Sequence, residues 1–198
     1  MAEAGDLRER TRRAVRAELA AAAMDLFASR GFDATTVDEI AAAVGLSKRS
    51  FFRYFTSKED VVLGNLEETG RALAERVGAR PVGEPAWPAL RAGFDLIVAH
   101  HDGDPERTLT LLRMLHDTPS LRARHLEKQS RWQAVLAPHL VGRPAADGGV
   151  VDEIAARAVA AAALACLDAA EDAWIGAEGR APVAGLLDRV MTGVHPFS

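Results

Sequence analysis

The chain has 198 residues, about half of them hydrophobic and a quarter charged, with a formal net charge of −4. That composition is typical of a soluble globular chain of one extended or two small domains, whose core needs no metal or disulfide staple. A single cysteine, Cys166, excludes an internal disulfide, so a cytoplasmic location is expected. The start Met1-Ala2-Glu3-Ala4-Gly5-Asp6 lacks the basic-then-apolar pattern of a secretory signal. The most apolar stretch, 155–170, is mostly alanine and carries Arg157 and Asp168, so no membrane partner is expected.

The pattern is helical throughout, with no strand-like alternation and no internal repeat. Residues 1–7 read as a frayed tail. A first helix is expected over 10–30, where Leu19, Ala22, Ala23 and Leu26 recur at i, i+3, i+4, i+7 and Phe27 widens the stripe. Gly31 can end it in a left-handed conformation, with Phe32 packing back. A second helix opens at Thr36, because Thr36-Val37-Asp38-Glu39 has the S/T-x-x-E form of a capping box. Val37, Ile40, Ala41 and Val44 repeat the apolar stripe, and Gly45 stops the helix after about two turns. Ser47 is the expected N-cap of a third helix, on which Phe51 and Phe55 share a face. Ser57 caps a longer fourth helix, with Asp60 three residues on and Val61, Val62, Leu63 and Leu66 as apolar positions.

Residues 78–85 read as a linker. A fifth helix is expected over 85–101. A sixth starts at Asp104-Pro105-Glu106, with a cap, a first-position proline and an acid in the first turn. Thr118-Pro119 opens a seventh reaching about 140, and 141–149 is a Gly/Pro-rich loop. An alanine-rich eighth helix covers 151–178 and a ninth 182–194. The expected fold class is all-α, about nine helices, with a helix-turn-helix domain over 1–57 and a second helical domain over 58–198.

Net charge gives no hint of a nucleic-acid partner, since residues 1–60 carry ten Lys/Arg against ten Asp/Glu. The local distribution does. From Ser47 to Lys58 there are four basic residues (Lys48, Arg49, Arg53, Lys58) and no acid, and Arg8 to Arg16 holds five arginines against Glu9. Binding depends on the charge that faces the phosphates. Two short helices joined by a tight glycine turn at Val44-Gly45-Leu46 make a helix-turn-helix. The third helix would turn Phe51 and Phe55 to the core and Lys48, Arg49, Ser50 and Arg53 to a DNA groove. Lys and Arg donate to guanine O6 and N7, while hydroxyls and helix N-terminal amides suit phosphates. A short basic helix beside an aromatic pair is ordinarily a solvated amphipathic helix. Here a capping box, a glycine turn, a second N-cap and an acid-free basic stretch coincide within 23 residues.

Leu26-Phe27-Ala28-Ser29-Arg30-Gly31-Phe32, Thr35-Thr36-Val37-Asp38-Glu39-Ile40-Ala41, Val44-Gly45-Leu46-Ser47 and Phe52-Arg53-Tyr54-Phe55-Thr56-Ser57-Lys58-Glu59-Asp60 resemble the TetR family of bacterial repressors. The resemblance covers about residues 10–65. It implies an all-helical homodimer that represses genes from a double-stranded DNA operator and releases it when a small molecule binds the C-terminal domain. It places base-facing residues at Lys48, Arg49 and Arg53, and phosphate-facing ones at Thr36, Ser47, Phe52, Tyr54 and Lys58. Many members have glycine at the place of Arg49, whose side chain would add a base donor. Many have tyrosine at the place of Phe52, which lacks that hydroxyl. The wording Ser50-Phe51-Phe52-Arg53-Tyr54-Phe55 is similar to a subgroup, frequent in actinobacteria, thought to take acyl-CoA-like ligands.

By the same resemblance the C-terminal two-thirds senses ligand and dimerises. Candidates for a pocket lining are Phe94, Val98, Leu111, Met114, Leu115 and Trp132, each of which core packing explains equally well. Candidates for a dimer interface are Leu164, Leu167 and Trp174 on the alanine-rich helix, and Leu186, Leu187 and Val190 on the last. An ordinary buried helix is the alternative there. His100, His101, His116 and His125 show no i, i+4 pair, so no metal is expected and surface or loop-end roles are assigned to them. Cys166 reads as a small buried hydrophobe, and no cofactor is expected. Two other readings stay open. One is a DNA-bound activator or partner-controlled regulator without a small ligand. The other is a small helical enzyme, for which the chain offers no nucleophile elbow, phosphate loop or metal-ligand spacing.

Overall fold

The computed structural model describes residues 2–145 and 148–195. Its α-helical segments are α1 (Ala2–Arg30), α2 (Val37–Ala43), α3 (Lys48–Phe51), α4 (Lys58–Leu63), α5 (Asn65–Gly78), α6 (Ala86–Gly93), α7 (Asp95–Gly103), α8 (Pro105–Asp117), α9 (Pro119–Leu136), α10 (Glu153–Gly176) and α11 (Val183–Val194). A 3-10 turn, Ala137–His139, extends α9. Among the described residues the one β-type pairing is an isolated bridge from Pro144, in the 141–149 loop, to Val150 just after it; Ala146 and Asp147 of that loop lie outside the described residues. Gly64 and Phe94 keep right-handed helical dihedrals, so α4–α5 and α6–α7 each correspond to one expected helix with a local break. The fold is all-α. Contacts divide the chain into two units, one ending at Asn65 and the other starting at Leu66, so α4 belongs with the first three helices, whereas the sequence pattern closes that domain at residue 57.

In the first unit the chain is helical from Ala2, so the tail expected over 1–7 is part of α1, apart from Met1, which lies outside the described residues. Alanines, leucines and arginines are good helix formers and dominate the stretch up to Gly31. The core stripe of α1 is Leu19, Ala23 and Phe27, with Ala22 and Leu26 at its edges. These meet Phe32, Ile40, Ala41, Phe51 and Phe55, all buried. The Phe27 and Phe32 rings lie 5.0 Å apart and the Phe51 and Phe55 rings 5.6 Å.

In the second unit α10 packs against α6, α8, α9 and α11. Its inward face is Ala156, Ala160, Ala163, Leu164, Cys166, Leu167, Ala170 and Trp174. The segment 78–85, read as a linker from its glycines and prolines, is tied down by a buried arginine. Arg143 donates from Nε to the His139 carbonyl (2.8 Å), from Nη1 to Pro81 (2.8 Å) and Glu84 (3.3 Å), and from Nη2 to Val77 (2.7 Å) and Arg80 (3.3 Å). One guanidinium thereby satisfies the open carbonyl end of α5 and the loop beyond it. His101 also departs from expectation. It is 3% exposed, with Nδ1 2.7 Å from the Ile97 carbonyl and Nε2 3.2 Å from a Glu171 carboxylate oxygen. Burial works against its charged form, but Glu171, Ile97 and Asp102 outweigh it and hold the imidazole above its ordinary range. Cys166 is 2% exposed, and burial raises its thiol.

Candidate nucleic-acid interface

Local chemistry builds the reading helix. Thr36 is in extended conformation before α2 and its hydroxyl accepts from the Glu39 amide (3.3 Å). The Thr36 amide donates back to Glu39 Oε2 (2.8 Å), completing the capping box. The Thr36 amide, its hydroxyl and Arg30, whose Nη1 lies 2.9 Å from Oε1, hold the Glu39 carboxyl below its ordinary range. At the other end of α2, Leu46 donates to Ala41 (2.8 Å) and Gly45 to Ala42 (3.0 Å), the paired bonds of a Schellman turn. Gly45 sits at φ +68, the left-handed region, which sets the angle at which the chain enters α3. Ser47 then caps α3, accepting from the Ser50 amide (3.2 Å), and its hydroxyl lies 3.1 Å from that of Ser50. Regular helix ends at Phe51, and turns carry residues 52–54 to Phe55.

Phe51 is fully buried and anchors this short segment, so the residues around it face outward. Lys48, Arg49, Phe52 and Arg53 are exposed, and Tyr54 is half-buried. Lys48 Nζ pairs with Asp38 of α2 at 2.8 Å. Exposed pairs of this kind are worth about 0–1 kcal/mol, little enough to give way to a base or phosphate. The side chains of Arg49 and Arg53 make no hydrogen bond or ion pair among the described residues. The Phe52 ring stands edge-on to Phe51 (5.4 Å) and is half in solvent, an apolar surface where a phosphate donor would need a hydroxyl.

Lys58 has partners of its own within the first unit. Its ammonium is occupied within the fold, donating to the carbonyls of Phe32 (2.6 Å), Thr35 (3.1 Å) and Asp33 (3.4 Å), and lying 4.3 Å from the Phe32 ring centroid. The loop between α1 and α2 leaves these carbonyls without helical partners, and the lysine at the start of α4 is within reach of all three. Arg16 does similar work at the far side. Its Nη1 donates to the Tyr54 carbonyl (2.5 Å) and its guanidinium covers the Phe55 ring at 4.4 Å. Sequence spacing gives no sign of this contact, which joins residues 38 apart.

In the second unit the expected ligand and dimer residues separate differently. Phe94, Val98, Leu115 and Trp132 are buried, and Leu111 and Met114 are half-buried. Trp132 donates to the Leu66 carbonyl (2.8 Å) and closes over Gly70, where a Cβ would come within 2.4 Å of the ring. These side chains fill core. Two open hollows lie elsewhere, one of about 470 Å³ beside Arg91, Asp95 and Asp188, and one of about 530 Å³ beside Gln133, Ala137, Pro138 and Arg157. Leu164, Leu167 and Trp174 of the alanine-rich helix and Leu187 of α11 are buried in their own subunit. Of the six residues expected at a dimer interface, Leu186 and Val190 retain surface. No described helix is long and apolar enough to cross a membrane.

Residues 19–64 match the family described as "Bacterial regulatory proteins, tetR family", and residues 84–196 match the "MftR C-terminal domain". The chain is 32% identical over 147 residues to the "HTH-type transcriptional regulator TcmR" of Streptomyces glaucescens, a stretch spanning 71% of this chain and 65% of that protein. It is 27% identical over 156 residues to the "Putative mycofactocin biosynthesis transcriptional regulator MftR" of Mycobacterium tuberculosis, covering 77% of this chain and 76% of that one. The Bacillus subtilis regulator FadR, solved with stearoyl-CoA, shares the fold at a TM-score of 0.63 and 16% identity, over 91% of this chain and 98% of that chain. The capped helix-turn-helix and these matches together place the chain in the tetR family of bacterial regulatory proteins.

Proposed function

We propose that this regulator is a repressor that binds a palindromic operator as a homodimer and is released by a small hydrophobic or acyl-CoA-like effector. The observation that carries the DNA-reading part is the outward face of α3 and the turn after it, where Arg49 and Arg53 stand exposed on a segment that Ser47 caps and Phe51 anchors. Two such heads about one helical turn apart would fit successive major grooves. The dimer reading is supported by the outer face of α10 and α11, where Ala158, Ala165, Ala169, Gly185 and Gly193 are exposed beside the half-buried Leu186 and Val190. Small side chains let a second copy approach closely. The effector class follows the stearoyl-CoA bound by the Bacillus FadR. A family of regulators acting on DNA also favours a non-enzymatic role in the cytoplasm.

One observation favours a second reading, control by a partner rather than by a small ligand. Phe94, Val98, Leu115 and Trp132 fill their space, so an acyl chain would have to part them. An effector would then act by favouring a separated state, with reciprocal coupling between DNA and ligand.

Titration of the full chain onto duplexes from its own promoter region, at moderate salt, tests the proposal. The expected result is sequence-selective binding weakened by stearoyl-CoA. Arg49→Ala should change preference at one base position by ~1–3 kcal/mol. Equal affinity for all duplexes would refute DNA reading. Selective binding indifferent to acyl-CoA would leave the partner-controlled reading in its place.

A further inference from the structure

The helix α1 is 29 residues long, yet its first buried described residue is Leu19. The residues before it that carry described side chains, from Leu7 to Glu18, are exposed or half-buried. This stretch holds Arg8, Arg10, Arg12, Arg13 and Arg16 against the acids Glu9 and Glu18. At ~100° per residue, Arg8, Arg12 and Arg13 fall within roughly 80° of Arg16 around the helix axis, with Glu9 the one acid of this stretch on the same side. Arg16 is fixed against the Tyr54 carbonyl and the Phe55 ring, at the end of the reading segment that also presents Arg53. The arginine stripe therefore begins beside the groove-facing surface and runs outward along α1. From Arg16 to Arg8 the rise is ~12 Å, which matches three or four phosphates at ~3.4 Å of duplex axis per phosphate on one strand.

We infer that the N-terminal half of α1 is a second DNA-contacting element, lying along the phosphates that flank the bases read by α3. The inference rests on the DNA-binding reading above. Three features combine in it: a helix continued well beyond the core it packs on, a face on which four arginines outnumber one acid, and a fixed attachment next to Tyr54. Isolated helices of this length are marginal in water, and a phosphate partner supplies the stabilisation that the core does not. Arg10 and Arg13 each already engage another residue of the chain. Exposed pairs of ~0–1 kcal/mol do not prevent exchange for phosphate. The contact carries no base information, so it raises affinity for any flank.

The test uses the full chain with Arg8, Arg12 and Arg13 changed together to Gln, and a second variant with all three changed to Lys. Affinity for a selectively bound duplex with long flanks is measured from ~50 to ~200 mM salt. The Gln variant should lose about 2–3 from the slope of log affinity against log salt, so that the wild type loses roughly 40-fold more affinity over that range. The Lys variant should keep the slope, and base preference should be unchanged in both. An unaltered slope in the Gln variant, with selective binding retained, would overturn the inference and leave the arginines as solvated surface. Loss in both variants would show that the effect is not one of charge, and would also overturn it. Failure of the wild type to bind any duplex selectively is a separate result, which removes the DNA-reading proposal and this inference with it.

Discussion

Replacing Lys58 with Met removes the ammonium and keeps most of the apolar stem. The ammonium makes two good bonds to carbonyls, at 2.6 and 3.1 Å, a long third at 3.4 Å, and stands 4.3 Å from the Phe32 ring centroid. A hydrogen bond to a charged group is worth about 1.5–3 kcal/mol when well buried, and a cation over a ring about 0.5–1 kcal/mol near the surface. Lys58 is half-buried, so the low end applies and the loss should be roughly 2–3 kcal/mol in the first unit. All three tryptophans, Trp87, Trp132 and Trp174, lie in the second unit. Tryptophan fluorescence unfolding is therefore an internal control, and amide hydrogen exchange reads the first unit separately. Amides of Thr35 and of α2 should exchange about 30- to 150-fold faster in Lys58→Met, at ~1.4 kcal/mol per decade, with the tryptophan transition unmoved. A change under threefold, together with a salt slope of DNA binding reduced by about one, would show that the ammonium serves a phosphate rather than the loop.

Other expectations follow from the same contacts. Gly45→Ala meets no atom within 4 Å, so it should cost only the left-handed backbone term, about 1–2 kcal/mol by hydrogen exchange of α2, and Gly45→Asn less. Arg143→Met orphans the carbonyls of Val77, Pro81 and His139 and should destabilise the second unit by about 3–5 kcal/mol in denaturant unfolding followed by tryptophan fluorescence. His101 has its folded-state affinity for a proton raised, so it contributes stability that is complete below the ordinary value of 6.5 and is lost as pH climbs through the raised one. Wild-type stability should fall above pH 6.5 by at most ~1.4 kcal/mol per pH unit from this group, and His101→Gln should flatten that slope. An identical pH profile in the two proteins would contradict the pairing with Glu171.

What could be read from the sequence was what local rules govern. The Thr36 to Glu39 box, the Gly45 turn and the Ser47 and Ser57 caps each involve residues three to five apart, and each appears as expected. The contacts that hold the reading head and the second unit together are long-range. Lys58 reaches the loop 23 to 26 residues away, Arg16 reaches Tyr54 across 38, and Arg143 reaches α5 across 66. A lysine after a serine cap reads as a phosphate clamp, and its bonds to the loop's carbonyls are not visible in that local pattern. The inward face of α10 was also obscured. Alanine occupies all sides of that helix, so nothing in its periodicity shows that Leu164, Leu167 and Trp174 point into their own subunit rather than toward a partner. His101 was misassigned to the surface because its partner Glu171 is on a helix 70 positions later in the chain.

Selection of bound duplexes from a random-sequence pool by the full-length chain, at moderate salt, tests DNA reading most directly. Enrichment of an inverted repeat, with half-sites about one helical turn apart and a base preference that changes in Arg49→Ala, is the expected result. A pool that emerges without any enriched sequence would contradict the account.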